Sequence, residues 1–367
     1  MILIPRGTSH GMARKVVLAA LFCTAGGAAM AAPVAVSGYT LTPFATAPAG
    51  SSAPDSITIV GNDVYVGYGN GGDPTGAGGA VSTIAEYSLG GTLLNSTSVV
   101  GHNDGLRYDA TSGQIWALQN EDANANLVLM TPGTLVKSAP YVFTPAAHGG
   151  GYDDVAFRGG SAFISASNPT INPNTAPAIV SATLAPGQVN VTGILAGNAT
   201  AHVINTGTTT TLNLQDPDSL IFAPDGRLVL DSQGDSQLVF VTDPGGAGQS
   251  AAVLNLSNQV DDTVFSGSGQ STLLFAAKGT NTVYRLTGDF APGTAFSAAA
   301  SSSGVSGTDF IGQLNLATGD LTPIVTGLSS PGGEAFLPVA VPEPAGIAAL
   351  GVAALMLLGL KRRRLRG

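Results

Sequence analysis

Cysteine and positive charge are both scarce in this sequence. Its only cysteine, Cys23, lies in an N-terminal segment that we expect to be removed, so the mature chain has no disulfide and no thiol nucleophile. Away from the two termini, six Lys and Arg residues face 22 acidic residues. The resulting formal charge of about −16 repels phosphate backbones, which excludes nucleic acid as a partner.

Aromatic and charged residues are also few, at 6% and 10% of the 367 residues. The 50 glycines and 22 prolines stay below the roughly 25–30% that is typical of a disordered chain. The 44% of hydrophobic residues is enough for a packed core. Low charge with abundant Gly, Thr, Ser and Asn favours many short strands joined by turns, so we expect an all-β fold.

The N-terminus has the order of a secretory signal peptide. Arg14 and Lys15 form a positive region, an apolar stretch follows, and the small residues Ala29 and Ala31 offer a cleavage site. We therefore predict that 1–31 is a signal peptide with an apolar helix. The Sec machinery and signal peptidase are the partners that this prediction implies.

The C-terminus carries three consecutive features. The triplet Pro342, Glu343 and Pro344 precedes an apolar run over 345–360, and a block of basic residues follows. Sixteen helical residues reach ~24 Å, a minimal transmembrane span, whose basic end stays in the cytoplasm. This order resembles the PEP-CTERM sorting signal of Gram-negative bacteria. The resemblance implies that 341–367 is a sorting signal with a single transmembrane helix, cut near the triplet by a membrane-embedded exosortase; a plain tail anchor is the alternative.

A repeat runs through the intervening domain, 32–340. An Asp followed by an apolar strand, a turn and a second apolar strand recurs with spacings of 49, 50, 64 and 44 residues. The five repeats begin at Asp55, Asp104, Asp154, Asp218 and Asp262. A period of this length made of strand hairpins indicates a β-propeller with one four-stranded blade per repeat. In the fifth repeat, the pattern pairs 262–265 with 271–275 as a hairpin.

Two further segments bring the expected number of blades to six, with seven as the alternative. Strand-like stretches over 294–325 form a degenerate unit, and Glu334 lies in the first strand of one more repeat. We expect that strand to share a blade with the N-terminal strand 39–44, which ties the chain ends together and removes open sheet edges. The blade pattern resembles NHL-repeat and gluconolactonase-type β-propellers.

Several short motifs imitate known sites without completing them. Residues 67–72 satisfy G-x-G-x-x-G, but no helix pattern follows, so we predict a loop between strands. The segment from Asp122 imitates a calcium loop but lacks the glycine that its turn requires, which favours a hairpin tip. His102 and His148 are interpreted as loop histidines on one rim of the propeller. Trp116 is expected to pack between adjacent blades.

The repeated aspartates are the one constellation that suggests a ligand. If the inner strands begin at the same height, their aspartates ring one mouth of the central channel. The ring consists of Asp104, Asp154, Asp218 and Asp262, with Asp55 and Glu334 near the seam. Crowded carboxylates raise one another's pKa values or recruit a hard cation such as Ca²⁺. Alternatively, each Asp caps its own turn through backbone N–H groups and no common site exists.

Three classes of function fit these features, and the sequence predicts no catalytic or cofactor-binding residue. The first class is a non-enzymatic envelope or biofilm-matrix protein that binds exopolysaccharide or envelope proteins. The second is implied by the gluconolactonase resemblance: a metal-dependent hydrolase whose axial ion is held by a Glu, Asn and Asp set. The third is a calcium-binding structural module without turnover. In each case we expect an exported protein that passes through an inner-membrane intermediate to the cell surface or the medium, and the absence of a nucleophile motif favours the first class.

Overall fold

Strands dominate the computed structural model, which describes residues 32–145, 148–300 and 307–339. The predicted signal peptide 1–31 and sorting signal 341–367, with their processing residues, lie outside the described residues. Within the described ranges, neither of the two short helices has the length and apolar character that a membrane span needs.

The described chain contains 27 strands and two 3-10 helices. The first fourteen strands are β1 (Val34–Ala35), β2 (Thr40–Thr46), β3 (Pro54–Val60), β4 (Asp63–Tyr68), β5 (Val81–Ser88), β6 (Leu93–Val100), β7 (Asn103–Asp109), β8 (Gln114–Gln119), β9 (Asn126–Met130), β10 (Tyr141–Thr144), β11 (Val155–Arg158), β12 (Ser161–Ser165), β13 (Pro177–Ala185) and β14 (Gln188–Ala196). The other thirteen are β15 (Thr200–Val203), β16 (Thr209–Thr211), β17 (Pro217–Phe222), β18 (Leu228–Ser232), β19 (Gln237–Thr242), β20 (Ser250–Asn255), β21 (Gln259–Phe265), β22 (Thr272–Ala277), β23 (Thr282–Thr287), β24 (Ala295–Ala300), β25 (Asp309–Leu314), β26 (Leu321–Leu328) and β27 (Pro331–Phe336). The 3-10 helices span Ala77–Gly79 and Lys278–Thr280.

The hydrogen-bonding pattern divides these strands into six four-stranded units. Units 1, 2 and 3 follow the chain as β3–β6, β7–β10 and β11–β14, and unit 4 is β17–β20 with β15 and β16 added at its outer edge. Unit 5 is β21, β24, β25 and β26, extended by β1, and unit 6 is β27, β22, β23 and β2. A parallel pairing of β10 with β14 joins units 2 and 3 at their outer edges.

The innermost strands of the units form a closed ring. Each contacts the next in the order β3, β7, β11, β17, β21, β27 and back to β3. Four-stranded sheets arranged radially around a channel are the defining feature of a β-propeller. The prediction of an all-β, propeller-like fold is confirmed.

The hydrophobic core lies between neighbouring units. Six clusters of buried apolar side chains each fill one interface between two units. Strands such as β8 and β18 are therefore buried along almost their whole length, as continuous apolar runs predict. Trp116 is 3% exposed and packs edge-on against Phe157 of the next unit, with ring centroids 5.1 Å apart, which confirms its predicted packing role.

The hairpin predicted for the fifth repeat is wrong. Strand β21 pairs with β24, whereas β22 pairs with β23 and β27 in unit 6. The chain therefore leaves unit 5 after its innermost strand, builds two strands of unit 6, and then returns to complete unit 5. Both strands are apolar and consecutive, so a local pattern cannot distinguish a hairpin from a crossing into the neighbouring sheet.

Strands from near the two described ends of the chain share unit 6. Strand β27, which contains Glu334, and the N-terminal strand β2 belong to this one sheet, with β22 and β23 between them. Their presence in one sheet confirms the predicted closure, and the ring of inner strands has no gap between the last and the first unit.

Candidate functional site

Each innermost strand begins with an irregularity that turns side chains towards the channel. In five of the six, two residues of the inner strand oppose a single residue of its partner, which is a β-bulge. The bulge pairs are 55–56, 104–105, 218–219, 261–262 and 332–333. In unit 3 the corresponding pair, 153–154, directly precedes β11. Because a bulge increases the local twist, it can re-aim a side chain that a regular strand would direct into the core.

The first residue of these pairs is an aspartate in five units and a glycine in the sixth. The five are Asp55, Asp104, Asp153, Asp218 and Asp261, and all of them line one cavity of about 20 Å³ at the channel mouth. A volume of that size holds about one water molecule or one monatomic ion. The repeat therefore concentrates five carboxyl groups around a space for a single small occupant.

At the sixth position, where the bulge pair begins with a glycine, a lysine from another segment contacts the two neighbouring aspartates. The Nζ of Lys278 lies 2.7 Å from Asp55 Oδ2 and 3.4 Å from Asp261 Oδ1. A Cβ added to Gly332 would lie 2.7 Å from an oxygen of Asp55 and 2.9 Å from one of Asp261, so only glycine leaves room for this arrangement. Burial alone would lower the pKa of Lys278, but Asp261, Asp55 and Asp104 outweigh burial and raise it, so the lysine is charged.

The other three aspartates of the ring have no such partner. Within the described residues, Asp104, Asp153 and Asp218 make no side-chain hydrogen bond or ion pair; Asp153 is only 6% exposed, and the other two are half-buried. Burial, with repulsion from neighbouring carboxylates, raises the pKa of each of the three well above its usual range. Three adjacent units therefore present carboxyl groups that lack a compensating cation.

The predicted ring of Asp104, Asp154, Asp218 and Asp262 is assembled at this cavity, but two of its members are engaged elsewhere. Asp154 Oδ2 accepts hydrogen bonds from Arg107 and, at 3.1 Å, from the backbone N–H of Leu220 in the next unit. Asp262 Oδ2 accepts one from the backbone N–H of Glu334, also in the next unit, at 2.7 Å. These two aspartates, each second in its bulge pair, therefore link neighbouring inner strands.

Sequence reasoning missed Asp153 and Asp261, which are the structural equivalents of Asp104 and Asp218. Each precedes a predicted aspartate directly, so the signal was the pair of consecutive aspartates in two of the repeats. Glu334, which was expected near the seam, is 1% exposed, and neither of its carboxyl oxygens has a hydrogen-bond partner. It does not line the cavity of the ring.

The histidines and loops occupy their predicted kinds of position. His102 lies between β6 and β7 and His148 lies between β10 and β11, each half-buried. Of the residues 67–72 that were predicted as a loop, the first two end β4, and 69–72 form the loop. Asp122 lies in the hairpin connection between β8 and β9, as predicted. None of the side chains that line the ring cavity is an asparagine, so the Glu, Asn and Asp set implied by the gluconolactonase resemblance does not assemble there.

The fold defines an all-β, propeller-like protein with an acidic channel mouth. No protein-family model matches the chain, and no curated protein matches it. Solved structures with a similar fold include a periplasmic gluconolactonase from Pseudomonas aeruginosa, with 12% identity over 78% of this chain and 89% of that chain and a TM-score of 0.47. Virginiamycin B lyase from Staphylococcus aureus has 11% identity, over 68% of this chain and 99% of that one, with a TM-score of 0.42. At such values the fold assignment rests on the strand pairing described above.

Proposed function

We propose that this protein is an exported, six-bladed β-propeller that acts as a non-enzymatic binding and structural module of the cell envelope or extracellular matrix. A divalent cation with a preference for oxygen ligands, such as Ca²⁺, completes the mouth of its channel. The observation that carries this proposal is the uneven charge of the aspartate ring. Lys278 neutralises the side formed by Asp55 and Asp261. In units 2, 3 and 4, Arg107 is paired with Asp154, and the cavity-lining Asp104, Asp153 and Asp218 have no ion-pair partner among the described residues.

The three aspartates that lack an ion-pair partner suit Ca²⁺ as a ligand set. Asp104, Asp153 and Asp218 offer carboxylate oxygens only, which are the ligands that this hard cation prefers. Burying several carboxylates without a cation forces them to take up protons, at a cost in free energy at neutral pH. A bound divalent cation removes that cost because it compensates two negative charges at once.

The size of the cavity supports binding without turnover. About 20 Å³ accommodates one ion, whereas small-molecule substrate sites are typically roughly 300–1,000 Å³. A lactone hydrolase would also need an open position on its metal for the substrate. The axial cavity thus favours an ion that stabilises the propeller over an ion that activates water.

Export is part of the proposal because of the two chain ends. Residues 1–31 have the basic, apolar and small-residue order of a secretory signal. The triplet at 342–344, followed by apolar and then basic residues, has the order of a sorting signal for the cell envelope. The exosortase, exopolysaccharide and other envelope proteins remain the proposed partners. An acidic body without a thiol is compatible with an oxidising compartment outside the cell.

Thermal unfolding with and without Ca²⁺ tests the cation site. We expect millimolar Ca²⁺ to raise the Tm of the mature, metal-stripped protein, since a ligand at 100 times its Kd stabilises the folded state by about 2.7 kcal/mol. Asp153→Asn and Asp218→Asn should each abolish the effect, and they should fold, because Asn keeps the shape and removes repulsion. The control is Asp320→Asn, which changes an exposed aspartate. A wild-type Tm that is indifferent to Ca²⁺ would overturn the proposal.

A further inference from the structure

A second group of donor atoms lies on the rim of the same channel mouth. One nitrogen of His102 and one carboxylate oxygen each of Asp104 and Glu121 all lie within 4.8 Å of one another. The Nε2 of His102 is 3.6 Å from Glu121 Oε1, which is too long for a hydrogen bond. The part of the chain that the structure describes contains no other group of three His, Cys, Asp or Glu side chains that is this compact.

The backbone orients His102 with Nε2 as its acceptor atom. Its Nδ1 lies 3.1 Å from the carbonyl oxygen of Gly72, which can only accept, so Nδ1 carries the proton and Nε2 has a free lone pair. A hydrogen bond from the second ring nitrogen to a carbonyl or carboxylate is the usual support of a metal-ligating histidine.

The G-x-G-x-x-G loop is what holds this imidazole. A Cβ at Gly69 would lie only 2.7 Å from the Cε1 atom of His102, whereas a Cβ at Gly72 would make an ordinary contact of 3.6 Å with its Nδ1. Gly69 therefore lets the loop after β4 close over the ring, and the carbonyl of Gly72 fixes its tautomer. This role explains a motif that is not followed by the helix a dinucleotide site would need.

The carboxylates of the group are not satisfied by protein donors. Glu121 Oε2 is buried without a hydrogen-bond partner, and the carboxyl group of Asp104 has none among the described residues. Beside them, the unpartnered and nine-tenths buried Asp153 faces the cavity that Asp104 also lines. These carboxylate oxygens are therefore available to a cation that the imidazole also contacts.

We propose that His102, Asp104 and Glu121 bind a divalent transition-type cation, with Zn²⁺ as the ion of best fit. A donor set of one imidazole nitrogen and two carboxylate oxygens suits Zn²⁺ and similar ions, whereas Ca²⁺ takes oxygen ligands only. With metal–ligand distances of about 2.0–2.2 Å, two donors on a tetrahedral ion lie ~3.4 Å apart. The 3.6 Å between His102 Nε2 and Glu121 Oε1 is close to this separation. Three protein ligands leave the fourth position to water or to a group of a partner molecule.

This site is separate from the proposed Ca²⁺ position, although Asp104 borders both. It does not depend on the proposed function, because its histidine and its glutamate lie outside the aspartate ring. The two sites therefore respond to different substitutions: Asp218→Asn removes a ligand of the ring alone, and His102→Gln removes a ligand of the rim alone.

Zn²⁺ titration of the metal-stripped mature protein by calorimetry tests the proposal. We expect one Zn²⁺ per chain, bound at least ~100-fold more weakly by His102→Gln and by Glu121→Gln, since even outer-shell changes cost 10–100-fold. His148→Gln is the matched control, because His148 is also half-buried, with Nε2 3.0 Å from a backbone oxygen, but among the described residues it belongs to no compact group with two acidic side chains. Asp218→Asn should keep Zn²⁺ affinity.

A spectroscopic measurement makes the outcome independent of folding stability. Co²⁺ bound in place of Zn²⁺ should show visible d–d absorption in wild type and in His148→Gln, and lose it in His102→Gln and Glu121→Gln. Circular dichroism identifies variants that have unfolded, and either substitution that keeps its fold is sufficient for the test. Unchanged Zn²⁺ affinity in a folded His102→Gln variant, or an equal loss in His148→Gln, would refute the site.

Discussion

The ammonium group of Lys278 lies 2.7 Å from Asp55 Oδ2, and this ion pair joins the last unit of the propeller to the first. The lysine belongs to the 3-10 helix after β22, and the aspartate lies in the bulge of β3. The pair therefore acts at the seam where the ring closes, and Lys278 neutralises two of the five aspartates that come first in their pairs.

Lys278→Met should destabilise the metal-free protein and strengthen its binding of Ca²⁺. Removal of one partner of a buried pair costs roughly 3–5 kcal/mol, and the 30% exposure of this lysine side chain reduces our expectation to about 2 kcal/mol. The same change leaves Asp55 and Asp261 free to attract a cation. Urea unfolding and calorimetry measure the two effects. Lys137→Met, at an exposed position, should change neither by more than about 0.5 kcal/mol.

The metal-free protein should lose stability as the pH rises from 6.5 to 8.5. Burial raises the pKa of Asp262 to about 7 and that of Glu121 to about 8, so the native state holds protons that the unfolded chain has released. Because the native state binds more protons in this range, the free energy of unfolding falls with pH, by about 3 kcal/mol. His102 and His148 have lowered pKa values and act in the opposite direction, with an effect that fades above about pH 7 as the histidines of the unfolded chain lose their protons.

Urea unfolding in a chelator at several pH values measures this slope. Glu121→Gln should flatten it by about 2 kcal/mol over the same range, because the variant loses a group whose native pKa is about 8. A stability that is flat or rises with pH would contradict the assignment of buried, protonated carboxyl groups.

Gly91→Ala should be more damaging than Gly61→Ala. Both glycines have positive φ, +85° and +60°, so both substitutions carry the cost of about 1 kcal/mol for a left-handed alanine. At Gly61 no atom lies within 4 Å of the new Cβ, but at Gly91 it would overlap the backbone oxygen of Phe44 on β2. We expect at least ~2 kcal/mol of additional destabilisation at Gly91. Equal effects in chemical unfolding would show that β2 is not held tightly against unit 1.

The secreted product should begin near Ala32 and lack the basic block that starts at Lys361. Signal peptidase is expected to cut after Ala31, and the exosortase near Pro342 to Pro344, so both apolar ends leave the mature chain. Intact-mass measurement on extracellular material checks both cuts. Detection of a product that retains the basic block would favour a plain tail anchor.

The sequence predicts the propeller because strand hairpins, turns and the spacing of the aspartates are local features that repeat. It does not determine which residue of an Asp-Asp pair faces the axis, since the bulge that decides between Asp261 and Asp262 arises from pairing with another strand. Lys278 could not be assigned to the ring for a similar reason. It is far in sequence from Asp55, and only the closure of the sheets brings the two together.

The same limit explains why the sequence alone did not place His102 in a candidate metal site. A lone His before a repeat aspartate is most simply a loop residue, and His102 does lie in a loop. Its proximity to Glu121 depends on the antiparallel pairing of β7 with β8, and its tautomer depends on a carbonyl from unit 1. Spacing along the chain carries neither piece of information.

The exchange of strands between units 5 and 6 limits how this molecule can change in length. In a simple repeat array, each unit is one continuous segment that contacts only its neighbours, so an internal unit can be gained or lost while the others stay complete. Here β22 and β23 of unit 6 lie, in the order of the sequence, between the innermost strand of unit 5 and the rest of that unit. Deletion of a continuous segment that contains one of these two sheets therefore leaves the other incomplete. The last two sheets form one indivisible block, and we expect gain or loss of repeats in this lineage to be confined to units 1 to 4.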